Sequence, residues 1–283
     1  MIDAVAANSQ LFLLVFARVF ALLAVTPMIS SRSIPSLARV ALALMVTALV
    51  FPTLSSAGYP IPDTGLAFVL LLVGEAMVGI ITGFFLLLVF ATFQLAGQMF
   101  SLQMGFGASQ VFDPLSQIQI PLMGQFLNIV AMLIFVNTSG FQKIFLIGVQ
   151  RSFERMRAVD LVLIRSDIAE QVMRRLSGLF QDALIIAFPI LGTLVLVYVT
   201  MGLLAKAAPQ MNLLVLGFPI SIGITFVVLL VGMPFFAEAI SQLIDEGFEL
   251  VQSMYTAGQD AAAEAGREAA GAAGAGAAGG GGP

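Results

Sequence analysis

Residues 183–205 read ALIIAFPILGTLVLVYVTMGLLA and contain no charged side chain. A helix needs about 20 consecutive apolar residues to cross the hydrocarbon core of a bilayer, so this stretch predicts a membrane-spanning helix. Further apolar segments of comparable character lie at residues 10–29, 37–54, 66–96, 120–136 and 212–237. The sequence therefore predicts an all-α, polytopic membrane protein with about six long apolar helices.

The composition of the whole chain supports the same environment. Of its 283 residues, 59% are hydrophobic and 10% are charged, whereas a soluble domain carries about 25% charged residues. The mean hydropathy is +1.03. A water-exposed surface needs more polar residues than this chain supplies, which indicates that the bilayer is its solvent.

Several function classes lack the residues that they require. The chain has no cysteine and no histidine, which removes disulfides, thiolate nucleophiles, histidine metal ligands and histidine general bases. It also has no glycine-rich phosphate loop, no carboxylate pair spaced like an intramembrane aspartyl site, and no clustered basic face for nucleic acid. We expect no enzyme activity, metal, cofactor or nucleic-acid partner.

Two apolar segments have unusual features. We interpret residues 10–29 as a retained first membrane helix and not as a signal peptide. A signal peptide has positive residues before its apolar region, whereas this chain has Asp3 there, and Arg18 interrupts the apolar run. Residues 66–96 exceed one perpendicular span, which indicates a tilted helix or a bend near Gly79 and Gly83. These two glycines either admit a second backbone at close range or are simply tolerated in a membrane helix.

The middle of the chain is more polar. Residues 97–120 are predicted to form a polar loop, and residues 164–179 an amphipathic helix that lies at the membrane surface or against a partner. Most of the positive charge lies in residues 143–175. The positive-inside rule places the connection with Arg32 and Arg39 in the cytoplasm. If every following apolar segment crosses the membrane, residues 143–175 lie on the side opposite the cytoplasm, which contradicts the same rule. Either a segment within residues 66–136 does not cross the membrane, or the protein is not an ordinary membrane bundle.

The end of the chain has a different composition. Residues 258–283 are rich in alanine and glycine and end in Gly-Gly-Gly-Gly-Pro. We expect them to be disordered or partly helical and to lie outside a membrane domain that comprises residues 1–257.

Ionisable residues inside apolar segments are functional candidates because burying a charge in a membrane is costly. They are Arg18, Glu75, Lys206 and Glu238. Arg18 and Glu75 either face a polar interior and pair with each other or with a partner subunit, or they snorkel to the interface. For Lys206 and Glu238 we favour snorkelling or a place at a helix end.

The most peculiar connection is residues 103–114, QMGFGASQVFDP. Its glycines free the backbone, and its phenylalanine and methionine side chains provide bulky, adaptable apolar surface. Such a loop either obstructs a pore and moves aside, or is an ordinary connection packed on the helices.

Two stretches resemble a known family. Residues 104–127, MGFGASQVFDPLSQIQIPLMGQFL, and residues 202–219, GLLAKAAPQMNLLVLGFP, are similar to the signatures of the FliR family of flagellar export membrane proteins. The resemblance covers roughly residues 5–255 in the order of the family. The second signature contains the family's connection at Pro209, Gln210 and Asn212.

The resemblance implies a function in protein export. Members of the family assemble with FliP and FliQ, and work with FlhB and FlhA, in the bacterial inner membrane at the flagellar basal body. Their helices form tilted hairpins within a helical hetero-oligomeric export gate, through which unfolded flagellar subunits pass. The resemblance also assigns roles in a pore plug: occlusion to Phe106 and Phe112, hinges to Gly105 and Gly107, and the lining of the closure to Met104 and Val111, with Asp113 and Pro114 completing the motif.

Two other functions remain open at this point. The virulence injectisome has a counterpart that shares much of this pattern, although Gly217-Phe218-Pro219 looks more flagellar. An ion-coupled secondary transporter is the alternative from another class, because Pro209, Pro219 and Pro234 are able to break membrane helices. Co-purification with FliP-like and FliQ-like subunits distinguishes the export protein from the carrier.

Overall fold

A computed structural model describes residues 8–31, 33–57, 59–62, 64–105, 122–208, 210 and 213–279. These residues form helices, turns and connections, and none of them lies in a β-strand, which confirms the all-α prediction. The helices are α1 Ser9–Val25, α2 Ser36–Ala57, α3 Gly65–Gln103, α4 Leu122–Asn137, α5 Gly140–Lys143, a π-helix Ile144–Arg151, α6 Ser152–Arg155, α7 Asp160–Leu163, α8 Arg165–Ala207, α9 Leu213–Val231 and α10 Met233–Gly279.

Within the described ranges, three helices are long and apolar enough to cross a membrane. They are α2 over residues 36–55, α3 and α8. Two bent helix pairs also meet this length and composition test when each is taken together, and each is a broken span or a re-entrant loop: Leu122–Asn137 with Gly140–Arg155, and Leu216–Val231 with Met233–Glu268. Helix α1 is a shorter apolar helix. At about 1.5 Å per residue, α3 is about 58 Å long, well beyond the roughly 30 Å of a hydrocarbon core. The prediction of a polytopic helical membrane protein is confirmed.

The chain divides into two compact units. Unit 1 comprises Met1–Leu87, Phe141–Met173 and Gly247–Pro283, and unit 2 comprises Leu88–Gly140 and Arg174–Glu246. The core of unit 1 includes Leu14, Leu22 and Val78, each almost fully buried. The core of unit 2 includes Phe93 and Ile190, which are likewise buried. Each unit therefore has its own apolar interior.

Two predicted boundaries were wrong. Helix α3 continues to Gln103, so residues 97–103 are helical and do not belong to a loop. The extension packs well, because Phe100 is fully buried and Gly97 lies against α4, where an added Cβ would be 2.5 Å from the Gly124 Cα. The amphipathic segment 164–179 and the predicted span at residues 183–205 join in the single helix α8. No proline separates the two segments, so nothing ends the helix between them.

The segment 212–237, predicted as one span, is broken at Gly232. The two limbs, Leu216–Val231 and Met233–Glu268, are bent by 68°. Pro234 is the second residue of α10, a position where the missing N–H costs no helical hydrogen bond. Pro234 thus marks the break in the sequence, but the mean hydropathy of the segment does not reveal it.

Helix α10 includes most of the alanine- and glycine-rich tail. The helix extends to Gly279, and Gly258 packs closely in unit 1, where an added Cβ would lie 3.2 Å from the Met156 Cγ. Helix is one of the two states expected for this segment, and a domain boundary at residue 257 stays a prediction.

Two glycines of α3 admit α1 at very short range. A Cβ on Gly79 would lie 2.3 Å from the Arg18 carbonyl oxygen, and one on Gly83 would lie 2.9 Å from the Val25 Cβ. This is the close approach that small residues spaced four apart permit between helices. The glycines therefore have a packing role in unit 1.

We predict that Gly79→Ala destabilises the protein by at least about 1–3 kcal/mol, because the added methyl meets the backbone of α1 and forces the helices apart. Thermal unfolding of the detergent-solubilised chain measures the effect. The matched control is Gly192→Ala in α8, where an added Cβ meets nothing within 4 Å. Equal unfolding midpoints for the two variants would contradict the packing role.

Candidate functional site

A buried ion pair lies at the centre of unit 1. The Arg18 Nε donates to the Glu75 Oε2 at 2.5 Å. The two side chains are 1% and 0% exposed, so neither charge reaches water. The structure thus brings together two of the four ionisable candidates, from α1 and α3.

The guanidinium of Arg18 has three other neighbours. Its Nη1 donates to the Ser152 Oγ at 3.3 Å, and its Nη2 donates to the Met156 carbonyl oxygen at 3.0 Å. The Arg18 Cζ also lies 4.0 Å from the centre of the Phe153 ring, within the range of a cation–π interaction. The planar fork of arginine suits such a set of differently placed acceptors.

The carboxylate of Glu75 is equally well partnered. Its Oε1 accepts hydrogen bonds from the Tyr59 hydroxyl and from the Ala158 N–H, the latter at 3.3 Å. Tyr59 lies in the connection between α2 and α3. Burial raises the pKa of the Tyr59 phenol above its ordinary value of 10.0, and the Glu75 carboxylate raises it further. Tyr59 is therefore protonated at neutral pH and acts as a donor.

The segment that supplies Ser152, Met156 and Ala158 is shaped by a π-helix. The π-helix Ile144–Arg151 leads directly into Ser152, whose hydroxyl also donates to the Val149 carbonyl oxygen at 2.7 Å. Such wide turns are rare and concentrate at functional sites. Gly148 lies within this π-helix and packs against α1. A Cβ added to Gly148 would lie 3.1 Å from the Leu22 Cδ2. The π-helix thus holds the segment against α1.

Glycine also shortens the distance between α3 and the same segment. A Cβ on Gly74 would lie 2.8 Å from the Ala158 Cβ, so the glycine next to Glu75 in the sequence lets the Ala158 N–H reach the carboxylate. Nearby, the hydroxyls of Thr82 and Tyr255 are 2.7 Å apart, which links α10 to α3. The polar cluster therefore ties together α1, α3, α10 and residues 152–158.

The arrangement favours a structural role over chemistry. The guanidinium of Arg18 and the carboxylate of Glu75 both have hydrogen-bond partners. The described residues contain no group of three or more carboxylates, histidines or cysteines able to hold a metal. A fully partnered buried pair holds one packing arrangement, since separating its members would strand a charge in an apolar interior.

The other two charged candidates lie elsewhere. Lys206, near the end of α8, and Glu238, in the second turn of α10, are both exposed. Of the family connection, Gln210 is exposed in a turn, whereas Pro209 and Asn212 lie outside the described residues. The described members of this set, Lys206, Gln210 and Glu238, are not part of the buried cluster.

The plug signature begins at the end of α3. Met104 is fully buried, and Gly105 has a φ of +92°, the left-handed conformation that commonly ends a helix. An added Cβ on Gly105 would lie 2.3 Å from the Phe218 ring, so the first residues of one signature lie against the second signature within unit 2. The Tyr198 hydroxyl donates to the Gln103 carbonyl oxygen at this helix end. Phe106, Gly107, Val111, Phe112, Asp113 and Pro114 lie outside the described residues.

Sequence reasoning missed most of the partners of the ion pair. Ser152, Phe153 and Tyr59 carry no intramembrane charge and stand in no recognisable motif. The carbonyl of Met156 and the N–H of Ala158 are main-chain groups, which no residue type reveals. The only available signal was the cost of Arg18 and Glu75 in apolar segments.

We predict that Arg18→Leu and Glu75→Leu each destabilise the protein by about 3–5 kcal/mol, because each leaves an unpaired buried charge. The double variant should be more stable than either single variant. Chemical unfolding of the detergent-solubilised chain measures all three. As a control, Asp182→Leu breaks the partly exposed Arg175–Asp182 pair and should cost at most about 1 kcal/mol. Additive losses in the Arg18 and Glu75 variants would contradict a coupled pair.

Comparison with known proteins identifies the family. Residues 9–247 match the family described as bacterial export proteins, family 1. The flagellar biosynthetic protein FliR of Borreliella burgdorferi is 33% identical over 69% of this chain and 72% of its own length. The FliR proteins of Bacillus subtilis and Escherichia coli are 30% and 27% identical, over 78% and 83% of this chain and 85% and 88% of their own lengths. The chain therefore belongs to the bacterial export proteins, family 1, as a polytopic membrane protein.

Proposed function

We propose that this chain is the FliR-type subunit of the flagellar protein export gate, in the bacterial inner membrane at the flagellar basal body. The observation that carries the proposal is the family match over residues 9–247, joined to relatives that are named flagellar biosynthetic proteins. These names also favour the flagellar system over the virulence injectisome. Export through a gate needs a conduit and a seal, neither of which requires a catalytic group.

The proposed partners are FliP-like and FliQ-like subunits that build the pore, with FlhB-like and FlhA-like proteins as further export components. Helix α8 supports an extensive interface, because it exposes large apolar side chains along much of its length. They include Phe180, Leu184, Ile185, Phe188, Leu196 and Leu203, which are 48–68% exposed. Such side chains need lipid or neighbouring apolar helices around them.

The proposed seal is the segment that follows α3. Gly105 has a positive φ, the conformation that commonly ends a helix, and it stands where the apolar signature begins. An apolar constriction excludes ions by dewetting, and phenylalanine side chains deform around a passing polypeptide. Because Met104 is fully buried, we assign it to anchoring the base of the plug, and assign occlusion to Phe106 and Phe112.

The buried pair favours this function over an ion-coupled carrier. Carriers use converging acids or broken helices that leave carboxylates available to ions. In unit 1, Glu75 is bonded to Arg18, Tyr59 and the Ala158 N–H. That arrangement supports a fixed structural role for Glu75 and leaves no carboxylate oxygen of this residue without a donor.

The proposal requires co-purification. Affinity-tagged chain that is co-expressed with FliP-like and FliQ-like subunits should elute with them in one stable complex, as measured by mass spectrometry of the intact complex. The export assignment would be contradicted if the chain purifies without partner subunits and supports solute uptake in vesicles.

We predict that deleting residues 105–112 makes the assembled pore leak ions, because the apolar seal is removed while the helices remain. Conductance or ion flux in reconstituted vesicles measures the leak. The control is Phe226→Ala with Phe235→Ala, which removes two exposed phenylalanines from α9 and α10, outside both the plug segment and the proposed α8 interface, and should leave the pore tight. If the deleted complex assembles and is as tight as the control, the plug assignment is wrong.

A further inference from the structure

Unit 1 contains a cavity to which the proposed function assigns no role. Its volume is about 660 Å³, and it lies beside the buried ion pair. Tyr59, Phe153 and Met156 line it and at the same time contact Arg18 or Glu75. Cavities of roughly 300–1,000 Å³ hold small ligands, so the size alone permits one.

The lining of the cavity has an apolar part and a cationic part. Val50 and Leu54 of α2 and Ala262 of α10 contribute apolar surface. Arg155, which is half-buried, and Arg157, which is exposed, contribute positive charge. Neither arginine side chain has a hydrogen bond or ion pair within the described part of the chain. An arginine fork has five N–H donors, so the cavity offers a concentration of unused donors.

The two carboxylates in the lining already have donors. The Asp160 Oδ2 accepts the main-chain N–H of Arg157 at 2.8 Å. The Glu154 Oε1 accepts the Gln150 Nε2 at 3.1 Å. The acids are therefore engaged locally while the guanidinium groups are open. An anionic ligand with several acceptor oxygens suits these open donors, and a phosphate group with two free oxygens matches the arginine fork with two parallel hydrogen bonds.

The position of the cavity indicates where that phosphate comes from. Val50, Thr53 and Leu54 lie in the last two turns of the candidate span α2. The same helix exposes large apolar side chains up to Leu49, which is 77% exposed. The exposed apolar side chains of α2 thus end next to Val50, which lines the cavity together with the two arginines. Lipid headgroups meet a spanning helix near the end of its apolar segment.

We propose that the cavity binds the phosphate of a membrane phospholipid. Arg155 and Arg157 hold the phosphate, and the part of an acyl chain next to the headgroup lies against Val50 and Leu54. The lipid would fill a cavity whose wall is formed by the residues that clamp Arg18 and Glu75. It would thereby stabilise the packing of α2, α10 and residues 150–160 in unit 1.

The test uses the full chain, with the export subunits that purify with it, stripped of lipid in detergent. Native mass spectrometry follows the titration with phosphatidylglycerol. Arg155→Gln with Arg157→Gln should weaken binding at least about tenfold, because charge-assisted hydrogen bonds to the phosphate are lost. The matched control, Arg165→Gln with Arg267→Gln, removes two exposed charges outside the cavity and should bind like the parent. Equal weakening in both variants would overturn the proposal.

A second measurement keeps the arginines in place. The chain has no cysteine, so Ala263→Cys puts a single thiol into the cavity lining. Phosphatidylglycerol should slow its maleimide labelling, whereas Ser166→Cys, exposed outside the cavity, should react at an unchanged rate. Protection by inorganic phosphate alone, without protection by the lipid, would mean that the ligand is a soluble anion. Cross-linking of Ala263→Cys to a second polypeptide in the lipid-free complex would show that a protein segment fills the cavity. Either result overturns the lipid assignment.

Discussion

The packing of unit 1 depends on one constraint, which is that a charged pair is buried where no water reaches it. Arg18 and Glu75 are separated by 57 positions in sequence and are joined at 2.5 Å. Removing two ions from water is expensive, and it is repaid only where geometry and additional hydrogen bonds are excellent. Ser152, the Met156 carbonyl, Tyr59 and the Ala158 N–H supply those bonds. The position of α1 against α3 is therefore linked to the position of residues 152–158.

Close backbone contact makes this geometry possible. Gly79 and Gly83 let α1 approach α3, and Gly74 lets Ala158 approach α3 beside Glu75. Side chains any larger at these positions would separate the groups that must pair. In membrane proteins lipid competes for apolar surface, so van der Waals contact between small residues and internal hydrogen bonds hold helices together. Unit 1 uses both, and each depends on the other.

The buried ion pair and the segment proposed to seal a pore belong to different units of the chain. The buried charges serve a rigid part in unit 1, whereas the signature proposed to seal a pore starts at the glycine end of α3, in unit 2. An export conduit must hold its wall fixed while a small segment yields to the passing chain. A seal made of apolar side chains needs no charge of its own, which is consistent with a chain that lacks histidine and cysteine altogether.

Local composition determined much of this protein. The apolar segments, the helical class and the family resemblance are all readable in the sequence, because hydropathy and motif spacing are properties of neighbouring residues. The cost of a charge in an apolar segment likewise marked Arg18 and Glu75 as candidates. Only the tertiary structure decided that they meet each other, that Tyr59 and Ser152 complete the cluster, and that Gly79 lies on the backbone of α1. It also joined residues 164–179 to the span in α8 and left Arg155 and Arg157 facing a cavity. Those outcomes depend on distances between segments far apart in the chain, which no local pattern encodes.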